Sequence, residues 1–130
     1  MSERVEKFEE LIVWQKAHQL MLDAYKFSEF LPSDEKFGRS IQLKRSSASI
    51  AANIAEGFGR YHYQTNIQFC RQARGSLEET ANHLIAARDL NQAPKNICND
   101  LLQKCDEVRI ILNGYIKSLK ESKRLNNSIT

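Results

Sequence analysis

Apolar residues recur three and four positions apart along most of the chain, which is the spacing of residues on one face of an α-helix. The first such row contains Val13, Ala17, Leu20, Ala24, Phe27 and Leu31. It ends before Pro32, because the residue that precedes a proline disfavours helical geometry. A flanking apolar row, outside the main core stripe, contains Trp14, Met21 and Tyr25. The pattern predicts a first helix that ends at Pro32.

A second helix is predicted to begin at Ser33, whose side chain can cap the first turn, and to end at Gly57. It carries two apolar faces, which are Phe37, Ile41, Ala48, Ala52 and Ala55 on one side and Leu43, Ser47, Ile50 and Ile54 on the other. A polar stripe between them contains Gln42, Arg45, Ser49, Asn53 and Glu56. Two apolar faces favour a helix that packs within its own bundle and against a further neighbour. A helix buried among three partners inside a monomer would give the same pattern.

Two further helices follow a loop predicted at residues 58–64. The third has Thr65 as a candidate cap and a core row of Cys70, Ala73, Leu77, Ala81 and Leu84. Gly75 predicts a close helix crossing, since a glycine inside a helix costs about 1 kcal/mol relative to alanine. The fourth begins at Pro94, and its row is Ile97, Leu101, Cys105, Val108, Leu112, Tyr115 and Leu119. Together the segments predict an all-α, antiparallel up-down four-helix bundle at residues 1–125, with a flexible tail at 126–130.

Composition agrees with a single soluble domain. The chain has 130 residues, of which 42% are hydrophobic and 27% charged, and its two prolines and five glycines are too few for a fold built from many turns. No apolar run is long enough to span a membrane, and the N-terminus lacks the apolar stretch of a signal peptide. We therefore expect a cytoplasmic protein without membrane contact. Its three cysteines, Cys70, Cys98 and Cys105, are expected to be buried, reduced and free of metal.

The charge distribution offers candidate contacts for RNA phosphates. The formal net charge is only +3, but residues 94–130 hold seven basic and four acidic side chains. The loop at residues 58–64 adds tyrosines, which can stack on bases. The nucleic-acid contact candidates are Lys44, Arg60, Lys120, Lys123 and Arg124. Two alternatives remain open, because basic residues at a helix C-terminus also complement its dipole and loop tyrosines often serve as packing lids.

No arrangement typical of an enzyme is present in the sequence. A di-iron bundle requires Glu-x-x-His pairs, whereas Glu78 and Glu79 precede His83 by five and four positions. There is no glycine-rich phosphate loop after a strand, and no histidine has a nucleophile and a carboxylate placed to converge on it. We therefore expect no catalytic residue, no cofactor and no metal.

Four motifs, in order, resemble the family of 23S rRNA-intervening sequence proteins. They are VWQKAHQL at residues 13–20, the Leu31–Pro32 turn with Glu35 and Phe37, QLKRSSASIAANIAEGFGR at residues 42–60, and FCRQARGSLEET at residues 69–80. The resemblance implies an up-down four-helix bundle that assembles as a homopentameric ring. The family is more distantly similar to accessory proteins of diversity-generating retroelements, which are basic pentamers that bind nucleic acid together with a reverse transcriptase.

The two lines of reasoning combine into a functional hypothesis. The second apolar face indicates a homo-oligomer, with interface candidates Leu43, Ile50, Asn53 and Ile54. The resemblance places the polar stripe and Arg60 in the family motif, where hydrogen bonding across a contact is a better explanation than catalysis. We expect a non-enzymatic oligomer associated with RNA, ribonucleoprotein or a nucleic-acid-binding protein. The alternative is a protein-interaction scaffold or accessory subunit without direct nucleic-acid contact.

Overall fold

A computed structural model describes residues 4–129 of the chain, and these residues form four long helices and no strand. The helices are α1 (Ile12–Phe27), α2 (Arg39–Phe58), α3 (Tyr63–Asp89) and α4 (Lys95–Ile129), with single 3-10 turns at Phe8–Glu10, Ser28–Phe30 and Ser33–Glu35. Each helix packs against the next one along the chain, and α4 also packs against α1. The predicted all-α four-helix bundle is confirmed. None of these four helices is long and apolar enough to cross a membrane.

The core rows of α1 and α3 are the predicted ones. Every member of both rows is buried, from Val13 to Leu31 and from Cys70 to Leu84. In α4 the predicted row is correct except at two positions, where Cys98 and Ile116 are the buried residues and Ile97 and Tyr115 are only partly buried. Strong periodicity therefore located three of the four core faces.

The start of α2 differs from the prediction. Residues Ser33–Glu35 form a separate turn, and the helix begins at Arg39, with Gly38 as its N-cap. Glu35, not Ser33, satisfies the first turn, because its Oε1 accepts a hydrogen bond from the Arg39 backbone N–H at 3.2 Å. Phe37 consequently lies outside the helix and is 83% exposed.

The two glycines that the sequence singled out, Gly57 and Gly75, do not have the roles predicted for them. Gly57 lies inside α2 and is buried, where a Cβ atom would come within 2.9 Å of the Phe69 Cβ atom. At this point α2 and α3 lie so close together that only glycine fits. A Cβ atom at Gly75 would meet nothing within 4 Å, so the close crossing predicted there is wrong. Which glycine lies at the close approach depends on how α2 and α3 are placed against each other. The sequence around each glycine does not show that placement.

The remaining boundaries shift by a few residues. The loop between α2 and α3 is only residues 59–62, and α3 begins at Tyr63 with His62 as its N-cap, so Thr65 does not cap it. Helix α3 ends with Asn91 in the left-handed region (φ 56°), while the Gln92 N–H bonds to the Ala87 carbonyl oxygen at 2.8 Å. Helix α4 continues to Ile129, so it includes most of the segment predicted as a tail, and Thr130 lies outside the described residues.

Candidate nucleic-acid interface

The basic residues near the C-terminus stand out from the bundle because the helices differ in length. Helix α4 has 35 residues and α1 has 16, which correspond to about 52 Å and about 24 Å at 1.5 Å per residue. Val13 lies beside Ile111 and Tyr115, so the last turns of α4 continue beyond α1. They lie against the first turns of α3, where the Lys123 Nζ atom donates to Gln64 Oε1 at 2.6 Å.

Charge is strongly segregated along the α3–α4 pair. Residues 63–77 and 110–127 carry one carboxylate, Glu121, and six cationic side chains: Arg71, Arg74, Lys117, Lys120, Lys123 and Arg124. The other half of the pair carries four cations and six carboxylates, in residues 78–89 and 95–109. A small net charge for the whole chain therefore conceals a distinctly positive region.

Four of these cations form what we call the basic end, defined as Arg71, Lys120, Lys123 and Arg124. All four line one concavity of about 410 Å³ between α3 and α4. A second concavity of about 380 Å³ adjoins it and shares Lys123, and residues 61–63 of the preceding loop line it. The two together make a continuous positive depression with aromatic side chains at one side.

The members of the basic end differ in how they are held. Arg124 pairs with Glu121 at 2.5 Å, and this hydrogen bond lowers the pKa of Glu121 and raises that of Arg124. Arg71 and Lys120 make no salt bridge with any residue that the structure describes. The depression therefore combines positioned cations with cations that can turn toward an anion.

The loop before α3 supplies an exposed ring and a helix N-terminus. Tyr61 is 94% exposed, and its ring stands edge-on to that of His62 at 5.0 Å. It is therefore not a packing lid, which was one of the two interpretations that the sequence left open. His62 makes no side-chain cap hydrogen bond, and the positive end of the α3 dipole faces this region.

The structure does not bring all five predicted phosphate contacts together. Arg60 lies at the α2–α3 loop, where it pairs with Glu56 and its guanidinium carbon is 5.1 Å from the Phe69 ring centroid. Lys44 lies 14 positions before Phe58 in α2, which is about 21 Å along the helix. Its Nζ atom is instead 5.4 Å from the Tyr25 ring centroid. Lys44 is therefore separate from the basic end.

The faces of α2 are the reverse of those predicted. Leu43, Ile50 and Ile54 are each 0% exposed in the single chain, because they pack into the core of the bundle. They have no surface with which to contact a second copy, so their assignment as interface residues is corrected. Only Asn53 among the four candidates is partly accessible, and its Nδ2 atom donates to Ser49 Oγ at 3.0 Å. The face that α2 turns outward is the other one, with Ile41 45% exposed.

The polar stripe of α2 forms hydrogen bonds with α3. Ser76 Oγ donates to Ser49 Oγ at 2.9 Å, and Arg45 pairs with Glu79. Beside the stripe, Thr80 Oγ1 donates to Ser46 Oγ at 2.9 Å. Small side chains let these hydroxyls meet between closely packed helices. Ser49 and Arg45 of the stripe thus contact α3, whereas Asn53 and Glu56 bond to residues four positions away along the chain, Ser49 and Arg60.

The other side chains with possible chemistry are inaccessible or dispersed. All three cysteines are free and buried, and burial raises the pKa of Cys70 to about 11 and that of Cys105 to about 12. Trp14 stacks on His18 at 4.6 Å and is therefore covered by its own chain. Within residues 4–129 no group of three or more histidine, cysteine or acidic side chains is placed to hold a metal ion.

Sequence reasoning missed Arg71 and Gln64, which belong to the depression. Arg71 lies in a segment with equal numbers of basic and acidic residues, so a count along the chain gives it no weight. Pairing α3 antiparallel with α4 places Arg71 beside Lys120. The proximity of Arg71 to Lys120 depends on the register of α3 against α4. Aligning the predicted core rows of these two helices could have revealed it.

The fold and this site define a four-helix bundle protein with a segregated positive surface at one end. The sequence model for "23S rRNA-intervening sequence protein" matches residues 9–114, and the chain belongs to that family. A similar solved structure is that of a protein of unknown function from the S23 ribosomal protein family of Bacteroides thetaiotaomicron. It is 22% identical, with a TM-score of 0.76 over 82% of this chain and 99% of that chain, and shows the shared fold. No curated protein matches the sequence.

Proposed function

We propose that this protein is a non-enzymatic RNA-associated module that binds RNA phosphates at the basic end. The observation that carries the proposal is the convergence of Arg71, Lys120, Lys123 and Arg124 on one concavity. Phosphate groups attract such clusters without regard to base sequence. The exposed Tyr61 ring beside the cluster supports binding of an unpaired or looped RNA segment, because every base can stack on an aromatic face.

The test is RNA binding measured as a function of salt concentration. A triple variant, Lys120→Glu, Lys123→Glu and Arg124→Glu, removes three of the four cations of the basic end. Fluorescence anisotropy with structured fragments of ribosomal RNA should show weaker binding. The slope of log affinity against log salt should become shallower by about 2, since each single-strand phosphate contact contributes about 0.7.

A matched control separates local contacts from net charge. Lys7, Lys16 and Lys95 are exposed and lie elsewhere on the bundle, so their triple reversal to glutamate changes the net charge equally. We expect this control to keep most of the salt slope. Equal losses in both variants would contradict a site at the basic end, and a flat salt response of the unaltered protein would contradict RNA binding altogether.

We further propose that the protein acts as a homo-oligomer through the outward face of α2. This face consists of the uncharged residues Ile41, Ala48, Ala52 and Ala55, with the exposed Arg45 and Glu56 along its edge. Small apolar side chains on an exposed face permit close docking of a second helix. The homopentameric ring implied by the family resemblance is the assembly we propose, and several copies would make weak phosphate contacts multivalent.

Light scattering coupled to size exclusion tests this assembly. Ala52→Glu should reduce the mass toward that of a 15.0 kDa monomer while the helical circular dichroism stays unchanged. Ile110→Asp is a suitable control, because Ile110 is a 72% exposed apolar residue on α4. A monomeric unaltered protein, or dissociation by the control alone, would contradict the proposed interface. Ile50→Asp should instead unfold the chain, since it places a charge in the core.

The competing function is a protein-interaction scaffold without RNA contact. The same exposed face of α2 favours it, because an apolar helix surface can receive a protein other than a second copy. The triple reversal at the basic end distinguishes the two functions. A scaffold would retain its assembly and its protein partners after that reversal, whereas an RNA-associated module would lose its RNA.

A further inference from the structure

A second positive depression lies near the other end of the bundle, at the turn between α1 and α2. This depression, which we call the lysine groove, has a volume of about 480 Å³. Three lysines line it, Lys26, Lys36 and Lys44, together with Tyr25, Ser40 and one carboxylate, Glu29. Its volume lies within the range of small-molecule sites, which is about 300–1,000 Å³.

Ser40 provides the observation that points to a ligand. It is only 9% exposed and lines the groove, yet its hydroxyl has no hydrogen-bond partner among the described residues. Among the described residues, every side-chain nitrogen or oxygen that is buried away from solvent has a hydrogen-bond partner. The Ser40 hydroxyl is therefore accessible to solvent, and because Ser40 lines the groove, the hydroxyl can donate to a group bound there.

The position of Ser40 in α2 strengthens the attraction for an anion. Ser40 is the second residue of this 20-residue helix. The N–H of the preceding residue, Arg39, already donates to Glu35 Oε1 at 3.2 Å, and the Arg39 side chain in turn pairs with that carboxylate. The first hydrogen bond of the helix runs from the Gln42 N–H to the Gly38 carbonyl oxygen. The backbone N–H of Ser40 precedes it and has no backbone acceptor in the described chain. Such N–H groups and the helix dipole favour negative charge.

We propose that the lysine groove binds a phosphate monoester, with Lys36 and Lys44 as its cationic contacts and the Ser40 hydroxyl as a donor. Three ammonium groups against one carboxylate give the groove a surplus of two positive charges. A monoester phosphate carries nearly two negative charges at neutral pH and three acceptor oxygens. The same group occurs on small phosphorylated molecules and at the 5′ end of RNA.

Titration with inorganic phosphate at constant ionic strength tests the site directly. In nitrogen–proton correlation spectra of the full chain, the backbone amide signals of Ser40 and Ile41 should shift in a saturable way. Lys44→Gln should weaken phosphate binding about tenfold, since loss of a charge-assisted hydrogen bond has about that effect. Ser40→Ala should weaken it a few-fold, because a neutral donor contributes less. Lys95→Gln, an exposed lysine outside the groove, should leave it unchanged.

Some outcomes would overturn the phosphate site in the lysine groove, and others distinguish it from the proposed RNA site at the basic end. Shifts confined to the basic end, no saturable shift, or equal affinity for the Lys44→Gln variant would each overturn the proposal. The triple reversal at the basic end should not alter phosphate binding in the groove, so the two sites can fail independently. A trinucleotide with a 5′-phosphate that binds tenfold more tightly than inorganic phosphate would identify an RNA end as the source. Equal affinities would identify a small phosphorylated molecule.

Discussion

Two clusters of charged side chains, one near each end of the bundle, are used in opposite ways. At the turn end, four polar residues form a closed set that we call the turn network: Glu35, Arg39, His83 and Gln92. Arg39 Nε donates to Gln92 Oε1 at 2.9 Å, and Gln92 Nε2 donates to Glu35 Oε2 at 2.7 Å. At the basic end, Arg71 and Lys120 form no salt bridge with any described residue.

The difference explains which charges hold the fold and which are available to bind. The turn network joins the segment before α2 to the end of α3 and to the loop that follows, so its hydrogen bonds stabilise the chain itself. The Arg39 side chain is only 16% exposed, and a partly buried guanidinium needs all its partners. At the basic end, Arg71 and Lys120 are exposed and form no salt bridge with a residue that the structure describes, so they can attract an external anion.

The largest expected effect comes from removing the arginine at the centre of the turn network. Arg39→Met should lower the free energy of unfolding by about 1–3 kcal/mol, because His83 and Gln92 then lose a partner while partly buried. Arg71→Met at the basic end should change it by less than about 0.5 kcal/mol, as is usual for exposed positions. Urea denaturation of the two variants makes the comparison. Equal losses of stability would show that the two ends do not differ in this way.

This comparison also indicates how far the sequence can predict the structure. The rows of α1 and α3 were predictable because large apolar residues recur on one face only. Helix α2 was not, because small residues such as Ala48 and Ser47 occur on both faces and do not mark the core. Its packing partner decides which face is buried, as the close contact of Gly57 with Phe69 shows.

The candidate sites depended even more on tertiary structure. Lys120, Lys123 and Arg124 were predictable as a run of basic residues at the end of a helix. Arg71 was not, since it joins them only through the register of α3 against α4. The same applies to Ser40, which a helix predicted from Ser33 would not place at a helix N-terminus beside a groove.

Tyr61 should provide the next largest difference between the two ends. Tyr61→Ala should weaken RNA binding about tenfold, since stacking of one base on an aromatic ring contributes about 1–3 kcal/mol. Tyr61→Phe keeps the ring and should bind normally. Stability should be unaffected, because the ring is 94% exposed. Anisotropy titrations at one salt concentration test both variants, and an equal loss in Tyr61→Phe would assign the effect to the hydroxyl.

A single cation at the basic end should have a smaller, purely electrostatic effect. Lys120→Gln removes one candidate phosphate contact from the concavity. The slope of log affinity against log salt should become shallower by about 0.7–0.9, with an affinity loss that is uniform across RNA sequences. Lys95→Gln at the start of α4 should not change the slope. A loss that depended on RNA sequence would mean that Lys120 contacts bases instead of phosphates.

The smallest expected effect is a pH dependence at the turn network. Arg39 Nη1 lies 3.0 Å from His83 Nδ1, and because a guanidinium can only donate, this ring nitrogen must accept and the imidazole must be neutral. Burial and the charge of Arg39 lower the pKa of His83, with Arg45 acting in the same direction and Glu79 and Glu35 opposing. The unfolded chain then binds a proton more readily than the folded one. The contribution of His83 to stability is therefore complete above the unfolded value of 6.5 and is lost as the pH falls through the lower folded pKa.

His83→Gln should remove this contribution while keeping an acceptor for Arg39. The free energy of unfolding, measured by urea denaturation between pH 7.5 and 5.5, should fall less in the variant than in the unaltered protein. His62→Gln serves as the control, because that ring is exposed in the loop before α3 and stands outside the turn network. If His83→Gln retained the full pH dependence, the charged form of His83 would have to be as stable in the folded chain as in water. The hydrogen bonds of the turn network would then not distinguish its charged side chains from those of the basic end.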